Sequence, residues 1–143
     1  MRLLLDTSGY VGFKKGIPEL VDFLIEAQAI FLSPIVLGEL MFGFRLGTRF
    51  QKNMDELRQF IEQEAVEVIP LGEITADRYS RIAEQLKRQG TPIPSNDIWV
   101  AAQAVEQGAE LVTMDRHFEK ISGLVYRLFS DSGKRFFPPP GSG

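Results

Sequence analysis

The sequence predicts an α/β fold: a central, mostly parallel five-stranded sheet with helices on both faces, in three layers. Three observations carry that expectation. Short runs rich in Leu, Val and Ile alternate along the chain with longer stretches whose apolar residues recur at helical spacing. The opening run, Leu3 to Leu5, is unbroken rather than alternating, as in a strand buried on both faces. The chain has 143 residues, enough for one sizeable core, and no internal repeat divides them.

Leu3, Leu4 and Leu5 form the first strand, and Asp6 stands where it stops. Ser8 to Lys15 reads as a short helix or turn broken by Gly16. Pro18 opens a helix to about Gln28, with Leu20 and Leu24 as its stripe and Val21 and Ile25 on the flank. Ala29 to Ser33 is a second strand. Ser33 followed by Pro34 is a cap residue and a first-turn proline, so a helix runs from there to Leu46, with Gly47 as its stop. This helix is apolar nearly all round, which predicts that it is buried or covered by another chain. A charged-faced helix spans Gln51 to Glu64, and a third strand lies near Val66 to Pro70. Thr75 to Gln89 is helical, with Tyr79, Ile82, Ala83 and Leu86 on one face and Gly90 as the stop. After the rigid loop Thr91 to Ser95, Ser95 or Asn96 caps a helix to Gln107 whose face is Ile98, Ala101, Ala102 and Val105. Glu110 to Asp115 is a fourth strand, Arg116 to Lys120 a short helix, and Gly123 to Phe129 a fifth strand. Residues 1–129 make one domain. Residues 130–143 read as a loosely ordered tail whose closing GSG resembles an appended linker.

Composition removes several kinds of chemistry. With no cysteine there are no disulfides, thiolate nucleophiles or Cys-type zinc sites, and a cytoplasmic place is expected. His117 is the only histidine, so a metal site must rest mainly on carboxylates, which favours hard cations such as Mg²⁺ or Mn²⁺. No apolar run is long enough to span a bilayer. A net charge of −3 argues against a simple nucleic-acid coat protein, yet a polyanionic substrate remains open if bound metal inverts the local field.

Four acids stand apart from those on solvated helix faces. Asp6 and Asp115 each come directly after a strand, where ligands of open α/β sheets bind. Asp97 lies in the first turn of a helix, and Glu39 inside a nearly apolar one. Each has a plain structural reading: Asp6 and Asp115 cap the short helices next in the chain, Asp97 favours the helix dipole, and Glu39 reaches out from a flank. Glu39 fits that reading least, since an unpaired buried carboxylate is costly. Together the four can converge on one sheet edge, where a divalent cation would relieve their repulsion.

The segments LLLDTS, SPIVLGEL, NDIWVAA and TMDRHF, in this order and spacing, resemble the PIN-domain nucleases, and within them the VapC-type toxins of toxin–antitoxin pairs. The resemblance extends to about Phe129. It implies a PIN-like fold and a Mg²⁺- or Mn²⁺-dependent endoribonuclease, the toxin of a type II pair, acting in the cytoplasm. Asp6, Glu39, Asp97 and Asp115 would be the catalytic acids, Asp6 and Asp97 the surest metal ligands, with Glu39 and Asp115 binding directly or through water. A metal-activated water would hydrolyse RNA to 5′-phosphate and 3′-hydroxyl ends. Ser8, Asn96 and Thr113 would hold the acids by hydrogen bonds, or else serve only as caps and turn formers. A small VapB-type antitoxin would cover the site. Many relatives carry an acid at the position of His117, as in DRDF; no catalytic role is assigned to His117.

Basic residues cluster at Lys14 and Lys15, at Arg45, Arg49 and Lys52, at Lys87 and Arg88, and at Lys134 and Arg135. Arg45 and Arg49 come after Glu39, at the end of its helix, and are the candidates for RNA phosphate contacts. Loop or single-stranded segments suit a narrow acidic site. The apolar helix, with Phe42 and Phe44, suggests a homodimer face or a groove for a partner helix. Trp99, off the core face of its own helix, is a further candidate contact. Two other readings stay open: a PIN-like module that binds RNA or protein without cleaving, and a haloacid-dehalogenase-like phosphatase. The latter needs a second Asp where this chain has Ser8.

Overall fold

The computed structural model describes residues 1–131. Most of the expected tail, with Lys134, Arg135 and the closing GSG, lies outside the described residues. The strands are β1 (Arg2–Leu5), β2 (Ala29–Leu32), β3 (Val66–Val68), β4 (Glu110–Thr113) and β5 (Tyr126–Leu128). The helices are α1 (Thr7–Lys15), α2 (Pro18–Ile25), α3 (Pro34–Leu46), α4 (Phe50–Ile61), α5 (Glu73–Gln89) and α6 (Ser95–Gln107), with a 3₁₀ turn at Arg116–Lys120.

All strand pairings are parallel, in the order β3-β2-β1-β4-β5. β1 lies at the centre: Leu5 is in register with Leu32 of β2 on one side and with Val112 of β4 on the other. Leu3, Leu4, Leu5, Leu111 and Val112 have no exposed surface, as strands covered on both faces require. The chain steps from β1 to β2 and β3, then crosses back past β1 to β4. With right-handed crossovers, α1 to α4 lie on one face and α5 and α6 on the other. The reversal between β1 and β4 opens a crevice at their carboxyl ends.

Several element ends differ from the sequence expectation, each for a local reason. α2 stops at Ile25, because the Gln28 backbone N–H is already taken by the Met1 carbonyl at 3.0 Å as the chain enters β2. The third strand ends at Val68; Ile69 still donates to Leu32 O at 2.9 Å, but Pro70 has no N–H to continue. The face of α6 is also broader than expected. Val100, Gln103 and Ala104 are buried while Val105 is exposed, and Gln103 Nε2 donates to the Ile69 and Pro70 carbonyls.

α3 is less buried than its composition suggests. Val36 and Leu40 enter the core and Phe44 packs against it, but Phe42 and Leu46 are 64% and 74% exposed. Trp99 is half-buried in a stack with Tyr79 of α5, ring centres 4.2 Å apart. Lys14 and Lys52 both pair with Glu56, and Arg88 pairs with Glu84, so these basic groups are engaged on the surface.

Candidate metal-binding active site

The four acids meet at the crevice. A cavity of about 470 Å³ is lined by Asp6, Thr7, Ser8, Glu39, Phe42, Asp97, Val100 and Asp115. Asp6 arrives at the end of β1 and Asp115 just past the end of β4, the two strands that flank the reversal. Asp97 comes from the first turn of α6 and Glu39 from α3.

Asp6 is the most constrained of them. It caps α1, accepting from Gly9 N at 2.7 Å. Thr113 Oγ1 donates to Asp6 Oδ2 at 2.5 Å, and Ser8 Oγ to Asp6 Oδ1 at 2.9 Å. Gly9 permits this fit: a Cβ there would lie 2.6 Å from the Val112 carbonyl. Burial pushes the Asp6 carboxyl up to about 6 against these hydrogen bonds, and the charge of Asp97 adds to the rise. The cap reading and the site reading therefore hold for the same side chain.

Ser8 also accepts from Met114 N at 2.8 Å, and Thr113 accepts from Asp115 N at 2.9 Å. The two hydroxyls tie the end of β1 to the turn after β4. Asp115 caps the 3₁₀ turn by accepting from His117 N at 2.9 Å. Glu39 is half-buried, not unpaired: Thr7 Oγ1 donates to one of its oxygens and Asn96 Nδ2 to the other, the latter at 3.0 Å. Glu39 therefore links α1, α3 and α6.

Asp97 is held above its ordinary range, first by burial, with the charges of Asp115 and Glu39 adding to the shift and His117 opposing it. His117 Nδ1 lies 2.9 Å from Asp97 Oδ2 and 3.2 Å from Asp115 Oδ2. Ligand atoms of Asp97, Asp115 and His117 all fall within 4.8 Å of one another, and Asp6 and Glu39 share the same cavity. Four carboxylates and one imidazole suit a hard or borderline divalent cation. The donor set therefore fits a metal ion.

The residues singled out from the sequence sit in two groups. Asp6, Glu39, Asp97, Asp115 and Ser8 line the cavity, while Asn96 and Thr113 touch the acids from behind it. Arg45 and Arg49 lie at the far end of α3 and the start of α4, both exposed and outside the cavity lining. Arg45 stacks over the Phe50 ring at 4.5 Å. Sequence reasoning gave no role to Thr7, His117 or Val100. Thr7 and His117 each lie within two residues of an assigned acid, and Val100 is three beyond Asp97, one helical turn away.

Known proteins resemble this chain along most of its length. The model of the PIN domain family matches residues 3–124. Ribonuclease VapC1 of Rickettsia felis is 32% identical over 127 residues, 87% of this chain and 93% of that protein. The tRNA(fMet)-specific endonuclease VapC of Salmonella typhimurium is 28% identical, over 87% of this chain and 95% of its own. Among solved structures, VapBC-1 from nontypeable Haemophilus influenzae superposes with a TM-score of 0.79 at 26% identity, covering 90% of this chain and 98% of that one. DNA-bound VapBC from Salmonella typhimurium gives 0.78 at 28% identity, covering 89% and 97%.

Proposed function

The chain belongs to the PIN-domain family and to its VapC ribonucleases, and from that premise we propose how its acidic cavity works as the toxin of a type II toxin–antitoxin pair. It is an endoribonuclease. The observation that carries the mechanism is the convergence of Asp6, Glu39, Asp97 and Asp115 on one cavity, with His117 between two of them.

Asp97 and Asp115 would hold a Mg²⁺ or Mn²⁺ ion together with Asp6 and Glu39, and His117 lies close enough to Asp97 and Asp115 to join them. When bound, the cation supplies positive charge to the phosphodiester and lowers the pKa of water. The chain's own groups do the positioning. Ser8 and Thr113 fix Asp6 against the β4 turn; Thr7 and Asn96 fix Glu39 across three helices. Water adds to phosphorus and gives up a proton, the bond to the 3′-oxygen breaks, and that oxygen takes up a proton, leaving 5′-phosphate and 3′-hydroxyl ends. Arg45 and Arg49, which make no ion pair among the described residues, contact flanking phosphates.

The partner is a VapB-type antitoxin, supported by the VapBC complexes that this chain resembles. The apolar surface that α3 leaves exposed around Leu46 supports a homodimer or an antitoxin contact. No helix among the described residues is long and apolar enough to cross a membrane, and the proposed place of action is the cytoplasm. Residues 1–129 form the nuclease unit in this proposal. The test is cleavage of transfer, ribosomal and messenger RNA by the purified chain with Mg²⁺ or Mn²⁺, beside EDTA and Asp97→Ala controls. Cutting lost in both controls supports the reading; cutting that persists in both belongs to a contaminant.

A further inference from the structure

Phe42 is the one aromatic side chain among the described residues that is mostly exposed, at 64%. It takes part in no ring pair or guanidinium stack found among them. Yet it lines the cavity of the four acids. A cation site gains nothing from a phenyl ring, and a folded chain gains nothing from exposing one. The ring therefore calls for a ligand with an apolar face that arrives together with the charge the acids bind.

The surroundings say which. Phe42 is three residues beyond Glu39 on α3, so the two share a ridge of the helix. Val100, buried and three residues beyond Asp97 on α6, adds a second apolar contribution to the cavity lining. Arg45 lies another three residues past Phe42 and pairs with no carboxylate among the described residues. α3 thus presents an acid, an aromatic face and a cation in succession. A nucleotide strand offers the matching series: a phosphate for the metal-binding acids, a base for the ring, and a further phosphate for the guanidinium.

We propose that Phe42 is the stacking platform for the base next to the scissile phosphate, a positioning residue that holds the strand by that base while the acids face the phosphate. This rests on the ribonuclease reading above and adds one substrate contact to it. Only an unstacked base can present its face to a side chain, and such stacking tolerates any base identity.

The test is steady-state cleavage by the full chain, with Mg²⁺, of a single-stranded RNA oligonucleotide that the wild type cuts. The same oligonucleotide is also made with one abasic ribose stepped along its length. For the wild type, one abasic position beside the cut raises KM by about ten-fold, the scale of one lost base–aromatic stack. Phe42→Ala raises KM on the intact RNA to a similar extent with kcat little changed, and no longer distinguishes the abasic position. Phe42→Trp restores the wild-type pattern, while Phe42→Leu, apolar but without a π face, does not. A Phe42→Ala chain with wild-type KM and the wild-type abasic profile overturns the proposal. If that chain keeps the wild-type KM and abasic profile but loses self-association, the ring is a contact between copies of the chain and the proposal is equally overturned. If the wild type cuts no RNA at all, the ribonuclease reading itself falls and takes the proposal with it.

Discussion

His117 Nδ1 lies 2.9 Å from Asp97 Oδ2, and the same nitrogen is 3.2 Å from Asp115 Oδ2. One ring therefore bridges an acid from the start of α6 and an acid that caps the turn after β4.

Imidazole is a softer ligand than a carboxylate and suits Mg²⁺ poorly, whereas a carboxylate suits both Mg²⁺ and Mn²⁺. His117→Asp is expected to tighten Mg²⁺ binding and to lower the preference for Mn²⁺. His117→Ala is expected to weaken both ions by roughly 10-fold or more, as loss of a group that orients ligands does. Calorimetric titration of the RNA-free protein with each ion checks both. Unchanged affinities in both variants would make His117 a bystander.

Asp6 gives a pH-dependent stability in the metal-free protein. Its carboxyl is raised from 3.8 to about 6 in the folded state, so between those values the folded chain binds more protons than the unfolded one. Stability contributed by this group therefore falls as pH rises from about 4 to about 6, and the whole cost, up to about 3 kcal/mol, is present at pH 7. Asp6→Asn keeps a good cap residue and removes the buried charge. In EDTA it is expected to raise Tm by several degrees at pH 7.5 and by little at pH 4. An equal change at both pH values would show that burial of charge is not the cause.

Gly9 is required by its neighbours rather than by its backbone angles. A Cβ at this position would meet the Val112 carbonyl at 2.6 Å and Asp6 Oδ1 at 3.2 Å, and the carbonyl belongs to a central strand that cannot yield. Gly9→Ala is expected to cost about 1–3 kcal/mol, the range for overpacking a tight site, and to reduce cleavage by displacing Asp6. Thermal unfolding and cleavage rate should fall together.

Glu39 is gripped from both sides, by Thr7 and by Asn96. Thr7→Val, which keeps the shape, and Asn96→Ala are each expected to lower kcat about ten-fold, with the double variant far short of a hundred-fold, because both act through one carboxylate. Fully additive losses would mean that the two residues work through separate groups.

Much of this was legible in the sequence because it was local. The leucine run of β1, the Ser33–Pro34 start of α3 and the glycine after α3 are short-range signals, and each lies where it was expected. Asp6, Asp97 and Asp115 were findable because strand ends and helix starts are marked by their neighbours, and Glu39 because it is the one acid of a nearly apolar helix. What the sequence did not show depends on contacts between distant residues. Glu39 looked unpaired until Asn96, 57 residues away, was placed against it. Gln103 lies off the apolar face read from the sequence, yet it is buried and its amide answers carbonyls in the loop after β3. The exposure of Phe42 was hidden too, because helical periodicity gives a side chain's direction and not what stands in front of it.

In the proposed mechanism this cavity cleaves RNA with a cation held by Asp97 and its neighbours. The most direct measurement tracks Mn²⁺ occupancy and RNA cleavage in the same titration, for the wild type and for Asp97→Asn. Cleavage is expected to rise in step with occupancy in the wild type, and both are expected to be lost in the variant. Cleavage by the wild type that persists after chelation has emptied the site, or that survives in Asp97→Asn, would contradict it.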